Sequence, residues 1–381
     1  RPALIRPAQV APWSLAMLFF DAHLDLAWNG VDWNRDLKLE VAAIREREKA
    51  LNLKGKARGA NTVSYPALRR GGVGLGIATL LARLHRSDQA PGFQVQGFNR
   101  YEDMAGAFGS ARGQLAYYEA LQAEGWLRLI TTKGQLAEMA RAWNGGVATA
   151  ETPLGFILSM EGADPIIHPR QVESWWRWGL RVVGPAHYGI STYSHGTATP
   201  GGLMPLGPEL LSEMRRMGMV LDVTHLADQA FDEALEKYDG PVLASHHNCR
   251  ALVPDQRQLT DDQIRRLIQR GAVIGAAFDA WMLVPGWVRG KTTVEETGVS
   301  LRHVADHIDH VCQIAGNCRH AALGTDLDGG FGAEQSPGDL ETIADLPKLV
   351  SILKSRGYSA ADIEQIAHGN WIRFFGEHLP D

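Results

Sequence analysis

MVLDVTHLADQAFDEALEKYDGPVLASH, residues 219–246, holds two short apolar runs, MVLDVTH (219–225) and PVLASH (241–246), and each closes on a histidine. Runs of the same kind recur on both sides. LFFDAHLD (18–25), GLGIATL (74–80), GFILSMEG (155–162) and LRVVGPAH (180–187) precede the pair, and AVIGAAF (272–278) and HAALGTD (320–326) follow it. Gly, Pro or a polar cluster bounds each run, which is the punctuation expected of strands. Several are continuously apolar, as parallel strands covered on both faces are.

Helix-like stretches lie between the runs. Thr260-Asp261-Asp262 opens one that continues through Ile264, Leu267 and Ile268 to Gly271, with acidic residues first and Arg270 last, the order the helix dipole favours. Val299 to Ala315 places Val304, Ile308, Val311 and Ala315 at helical spacing. Pro208 to Met217 begins with proline and stops before Gly218. Eight strands alternating with helices predict an α/β fold, a (β/α)8 TIM barrel. A doubly wound open sheet is the alternative that spacing alone leaves in place. Two connections exceed a simple crossover, so helical insertions are expected after strands 1 and 2. Residues 26–70 form the first; residues 81–153 form the second, with helices around Tyr101–Glu124 and Gly134–Trp143. No internal repeat or low-complexity linker interrupts the chain, so residues 1–381 read as a single domain.

The 45% hydrophobic and 21% charged fractions are those of a soluble globular protein. A net charge of −5 argues against nucleic acid, which calls for a basic surface. No apolar run reaches membrane-spanning length. The apolar segment Trp13–Phe20 runs straight into Asp21 and His23 without a small-residue cleavage site, so it reads as a strand rather than a signal peptide. Cys249, Cys312 and Cys318 form no CxxC, which suits a reducing cytoplasm, the expected location.

What ends the strands carries the chemistry. The first ends in His23-Leu24-Asp25, the third in Glu161, the fourth in His187, the fifth in His225, the sixth in His246 and the eighth in Asp326. In a barrel all C-terminal strand ends meet on one face, where active sites lie. The two side chains of His-x-Asp share a side, because strand side chains alternate. Mixed nitrogen and oxygen ligands suit Zn²⁺, whereas Mg²⁺ or Ca²⁺ prefers oxygen alone. Five ligand groups exceed the needs of one catalytic zinc with an open position; they suit two ions sharing a carboxylate. Glu161, the only Glu in the set, is the natural bridge. A lone strand-end histidine is more often a packed core residue than a ligand, and Asp326 or Asp328 alone could cap the next helix. Seven such residues at the ends of six of eight strands are another matter, because buried charges are expensive unless paired or coordinated.

These residues resemble the membrane (renal) dipeptidase family of zinc peptidases, among the amidohydrolase-like barrels. The likeness runs from FFDAHLDLAW (19–28) to HGNWIRFFGEHL (368–379). It is strongest in DAHLD, MEGADPI, LDVTHLADQAF, PVLASHHNCRAL with RQLTDDQ after it, HIDHVCQIAGNCRHAALGTDLDG and GNWIRFF. The resemblance implies His23 and Asp25 on one zinc, His225 and His246 on a second, and Glu161 between them. It implies no carbamylated lysine, and no Lys ends any of the eight runs. His187 matches a histidine contacting the substrate and tetrahedral intermediate. Asp326 matches the acid/base aspartate, and Arg257 matches an arginine pairing with the substrate's terminal carboxylate. Without the resemblance Arg257 reads as a solvated loop residue, since Arg is mostly exposed. A homodimer is implied by the resemblance alone.

Three stretches depart from the family pattern. AAFDAWML (276–283) puts Met282 nearest a substrate-contacting tyrosine of the family, His247 stands beside His246, and HYGISTYSHGT (187–197) replaces an Asn-rich run. The expected activity is zinc-dependent hydrolysis of small dipeptides through a metal-bridging hydroxide. The rivals are a binuclear hydrolase of another small amide or ester, and a catalytically decayed binding barrel. Intact ligands and an intact Asp326 argue against decay.

Overall fold

The computed structural model describes residues 17–84, 100–144, 148–149 and 151–381. Among these residues, eight parallel strands form the barrel path: β1 Phe19–Leu24, β2 Val73–Leu81, β3 Leu154–Glu161, β4 Leu180–Gly184, β5 Val220–Asp222, β6 Val242–Leu243, β7 Ile274–Ala276 and β8 Ala321–Leu323. The ladder runs β7-β8-β1-β2-β3-β4-β5-β6. A parallel bridge between Ala244 and Ile274 joins its two ends. Across that seam the Ala244 N–H donates to the Val273 carbonyl at 3.1 Å and the Gly275 N–H donates to Ala244 at 2.9 Å. The eight-stranded TIM barrel expected from the runs is therefore present, and the open sheet is not. A short strand, Leu127–Leu129, adds to the outer side of the path by pairing with β3.

Every residue of the eight barrel strands is buried, which explains why their sequences are continuously apolar rather than alternating. The helices fall where their caps predict. Asp261–Gln269 opens on a reciprocal box, with Gln263 N–H donating to Thr260 Oγ1 at 3.2 Å and Thr260 N–H donating to Gln263 Oε1 at 2.8 Å. Leu301–Ala315 buries Val304, Ile308 and Val311 and stops at Gly316, whose φ of 68° is the left-handed cap glycine accepts without strain. Gly207–Met217 stops the same way at Gly218. After β1 come the helices Val41–Ala50 and Tyr65–Arg70, and after β2 come Met104–Ala123 and Lys133–Trp143.

Two expectations are adjusted. Four strands leave the ladder three residues before the side chains expected to end them: β4 stops at Gly184, β5 at Asp222, β6 at Leu243 and β8 at Leu323. His187, His225, His246 and Asp326 therefore stand on the turns that bend over the barrel mouth. His225 and Asp326 have φ of 68° and 59°, which no strand residue can adopt. Asp328 caps no helix; its carboxylate accepts from Thr62 N–H at 2.7 Å, Thr62 Oγ1 at 2.9 Å and Val63 N–H at 3.0 Å. It clasps the β1–β2 connection to the loop after β8. Of the apolar segment Trp13–Phe20, residues 13–16 lie outside the described residues, as do residues 85–99 of the second insertion. No helix among the described residues is long and apolar enough to cross a membrane.

Candidate metal centre

The C-terminal ends of the strands and the turns after them bring every predicted site residue together, in a cluster that is buried except at the partly exposed His187 and Asp326. His23, on β1, points its Nε2 toward three carboxylates: Glu161 at 3.5 Å, Asp25 at 3.8 Å and Asp326 at 3.9 Å. Glu161, the last residue of β3, lies at the centre. Its Oε1 is 3.2 Å from His225 Nε2 and 3.5 Å from both His246 Nε2 and His187 Nε2. His225 Nε2 and His246 Nε2 are 3.1 Å apart.

Neighbouring hydroxyls fix these rings. Thr197 Oγ1 lies 2.9 Å from His225 Nδ1, and Ser245 Oγ lies 2.9 Å from His246 Nδ1. Asp25 accepts a hydrogen bond from Thr79 of β2. Asp21 braces the β1–β8 seam by accepting from Thr325 N–H at 2.8 Å and from His23 N–H at 3.1 Å. Asp222 does the same for β5 and β6, accepting from Thr224 N–H at 3.0 Å and Ser245 N–H at 3.1 Å. Thr79, Thr197 and Ser245 escaped sequence reading because hydroxyls of this kind are common and only the closed barrel brings them to the candidate ligands. Outer partners like these orient metal-binding rings.

The electrostatics are those of groups crowded together out of water. Burial and then the Glu161 charge lift Asp25 to about 7. Burial opposes the charge on His23, yet Glu161, Asp25 and Asp326 together raise it to about 10. Burial and the Arg257 charge push His225 down to about 3, and burial with His23 and Arg257 holds His246 well below the usual histidine range. Glu161 is held far below a normal carboxylate: burial opposes this, but His187, His23 and His225 outweigh it. Asp326 is driven well above one, by burial first and by Asp25, Glu161 and Asp279 after it.

Two observations say that this donor set fits metal ions. First, His23 Nε2 is buried with no hydrogen-bond partner among the described residues, although three carboxylates surround it. Second, ligand atoms 2.0–2.1 Å from a tetrahedral zinc stand about 3.3 Å from one another. The mutual separations of His225, His246 and Glu161, 3.1 to 3.5 Å, bracket that value. His23, Asp25 and Glu161 form a second group whose donor atoms lie within 4.8 Å of one another.

Arg257 closes the basin on the His246 side. Only 2% of it is exposed, so the solvated loop residue that composition suggests is a buried cation. Its Nη2 donates to the His246 carbonyl at 2.9 Å and lies 3.4 Å from His225 Nε2. Its Nε and Nη1 have no hydrogen-bond partner among the described residues.

The chain's similarity to known proteins agrees with this arrangement. The family model for membrane dipeptidase (peptidase family M19) matches residues 9–379. An uncharacterised protein from the region 5′ of pqqA in Klebsiella pneumoniae is 29% identical over 229 residues, covering 58% of this chain and 80% of that protein. Dipeptidase tcpJ of Claviceps purpurea is 31% identical over 205 residues. The match covers 53% of this chain but only 45% of the fungal protein's length. Among solved structures, the M19 metallopeptidase dipeptidase AC superposes with a TM-score of 0.71 at 22% identity, covering 96% of this chain and 99% of that one. A metallopeptidase from Rhodobacter sphaeroides, solved with a phosphinate mimic of the dipeptide L-Ala-D-Ala, gives 0.71 at 23% identity over 95% and 99% of the two chains. At such identities the structural likeness is one of fold.

Proposed function

Because this chain belongs to the membrane dipeptidase family of metallopeptidases, we propose that it hydrolyses the peptide bond of small dipeptides with two zinc ions held at the barrel mouth. His23 and Asp25 would hold one ion, His225 and His246 the other, and Glu161 both. Bound there, the metals would supply Lewis acidity that polarises the scissile carbonyl and makes water a nucleophile near neutral pH.

The remaining work falls to the chain's own side chains. Asp326, whose carboxyl burial holds well above its ordinary range, takes the proton from the attacking water and passes it to the departing amine. His187 faces the cluster through Nε2 and stabilises the oxyanion developing on the carbonyl. Arg257 holds the free carboxylate of the substrate. The hydrophobic core, continuous from Leu18 to Leu379, supports reading the chain as one domain.

The observation that carries this reading is Arg257: a buried guanidinium beside the ligand cluster, with two nitrogens unpartnered. A buried cation left so is costly, by several kcal/mol, and a substrate carboxylate is the anion that would offset that cost through charge-assisted hydrogen bonds. A dipeptide puts its carboxylate one residue from the scissile bond. Its amide or a one-residue extension puts a neutral group there.

The test is kcat/KM for one dipeptide, its amide and its tripeptide extension, on the wild type and on Arg257→Ala. The wild type should favour the dipeptide by about 10²-fold or more, the kinetic equivalent of those several kcal/mol. Arg257→Ala should raise KM for the dipeptide and narrow the gap. Equal wild-type rates on all three would make the enzyme a general amidase and remove Arg257 as the anchor.

A further inference from the structure

Arg83 lies just past β2, on a segment that supplies none of the ligands. Its backbone is held on two sides: Arg83–Leu84 pairs in parallel with Arg100–Tyr101, and Leu84 N–H donates to Asp164 Oδ2 at 3.0 Å. Asp164 in turn accepts from Ser191 Oγ at 2.9 Å and Thr192 N–H at 2.8 Å, tying this segment to the loop that follows His187. Arg83 is 4% exposed, and its Nη1 sits 2.5 Å from His187 Nδ1.

That contact decides where the His187 proton resides. A guanidinium has five N–H donors, no acceptor, and stays protonated. Facing it, Nδ1 must offer its lone pair. A neutral imidazole then carries its one hydrogen on Nε2, the atom turned toward Glu161 at 3.5 Å.

The other rings are arranged the opposite way. Thr197 Oγ1 donates to the His225 carbonyl at 3.3 Å, so the hydroxyl accepts from His225 Nδ1–H and leaves the Nε2 lone pair for a metal. The Ser245 hydroxyl permits the same for His246. His187, Glu161 and His225 also lie close enough to hold an ion together, but a nitrogen that bears hydrogen has no lone pair to give.

We propose that Arg83 is a positioning residue that fixes His187 as the Nε2–H tautomer, which makes it a donor to the oxyanion and bars it from metal ligation. This rests on the dipeptidase reading, in which His187 faces the scissile carbonyl. It assigns the ligand and donor roles among four crowded histidines to what lies behind each ring: hydroxyls behind two of the ligands, a guanidinium behind the donor.

The experiment is ¹⁵N NMR of histidine-labelled protein, with the His187 signals identified by their loss in His187→Gln, alongside kinetics and metal content of Arg83→Met and Arg83→Lys. In the wild type the proton should sit on Nε2. Arg83→Met should lose that preference and lower kcat by about 10–10²-fold, part of the 10²–10³ that losing an oxyanion donor costs outright. KM should move less than about threefold and bound metal should be unchanged. Arg83→Lys, which keeps a cationic donor, should recover most of the loss. A wild-type proton on Nδ1 would overturn the proposal, and so would Arg83→Met with wild-type kcat and an unaltered tautomer. If Arg83→Met fails to fold, the wild-type spectrum and the lysine variant decide. A wild type inactive on every dipeptide would strike the dipeptidase reading, while the spectrum still decides for or against Arg83.

Discussion

In the proposed centre, His23 and Asp25 carry the protons that metal binding would displace. Glu161, Asp25 and Asp326 outweigh burial and raise His23 to about 10, while burial and Glu161 raise Asp25 to about 7. A ligand must present its lone pair, so loading metal at pH 8 should release the His23 proton. At pH 6 Asp25 is mostly protonated as well, so its proton must also leave. His225, pushed to about 3, and Glu161, held well below its ordinary value, arrive already deprotonated. Proton release per chain should therefore rise by about one between pH 8 and pH 6, and zinc affinity should weaken over the same interval. Calorimetry of zinc binding in buffers of different ionisation enthalpy measures it; a release that stays constant with pH would contradict the assignment of Asp25 as a ligand. At this scale the sequence was legible for the seven strand-end groups, because imidazoles and carboxylates stand out against apolar runs. Arg257 was legible only through family resemblance. Arg83 and Thr79 were not legible, because what they do depends on which strand end the closed barrel places beside them.

The strands from β5 onward are short. β5 through β8 contribute two or three laddered residues each, and the chain then turns inward to deliver His225, His246 and Asp326. Apolar runs located these strands but overran their ends, since such a run does not reveal where the ladder stops and positive φ begins. Helix ends were easier to read, because the capping groups are local: Thr260 with Gln263, Gly218 and Gly316 all act where sequence places them. Two glycines show how differently one residue type can serve. A Cβ on Gly275 of β7 would lie 2.0 Å from the Ser245 carbonyl oxygen, so Gly275 is what lets β6 and β7 close the barrel. Gly113 is exposed within the helix Met104–Ala123, with nothing within 4 Å of an added Cβ. Gly275→Ala should cost about 3 kcal/mol or more by overpacking, whereas Gly113→Ala should gain about 0.5–1 kcal/mol from helix propensity. Urea unfolding, read as a shift in midpoint at constant slope, distinguishes them. A neutral Gly275→Ala would mean that the seam is loose.

Across the molecule, a closed barrel gathers residues from positions 23 to 326 of the chain into one basin. The insertions then tie the rim together: Asp328 clasps the loop at Thr62 and Val63, and Arg35, donating through Nε to Glu48 at 2.9 Å, lies 3.7 Å from that same Asp328. The barrel was legible because each βα unit repeats one signature. The clasp was not, because its partners are 266 and 265 residues apart and no local pattern joins them. We propose that Glu161 joins two ions at this mouth. Its position supports this: His23 Nε2 faces Oε2, while His225 and His246 Nε2 face Oε1. The direct measurement is metal content by mass spectrometry of zinc-saturated, desalted wild type and Glu161→Ala, with circular dichroism confirming that both are folded. Close to two zinc ions per wild-type chain are expected, and both should be lost in Glu161→Ala. One ion in the folded wild type, or a variant that keeps one at full affinity, would contradict it.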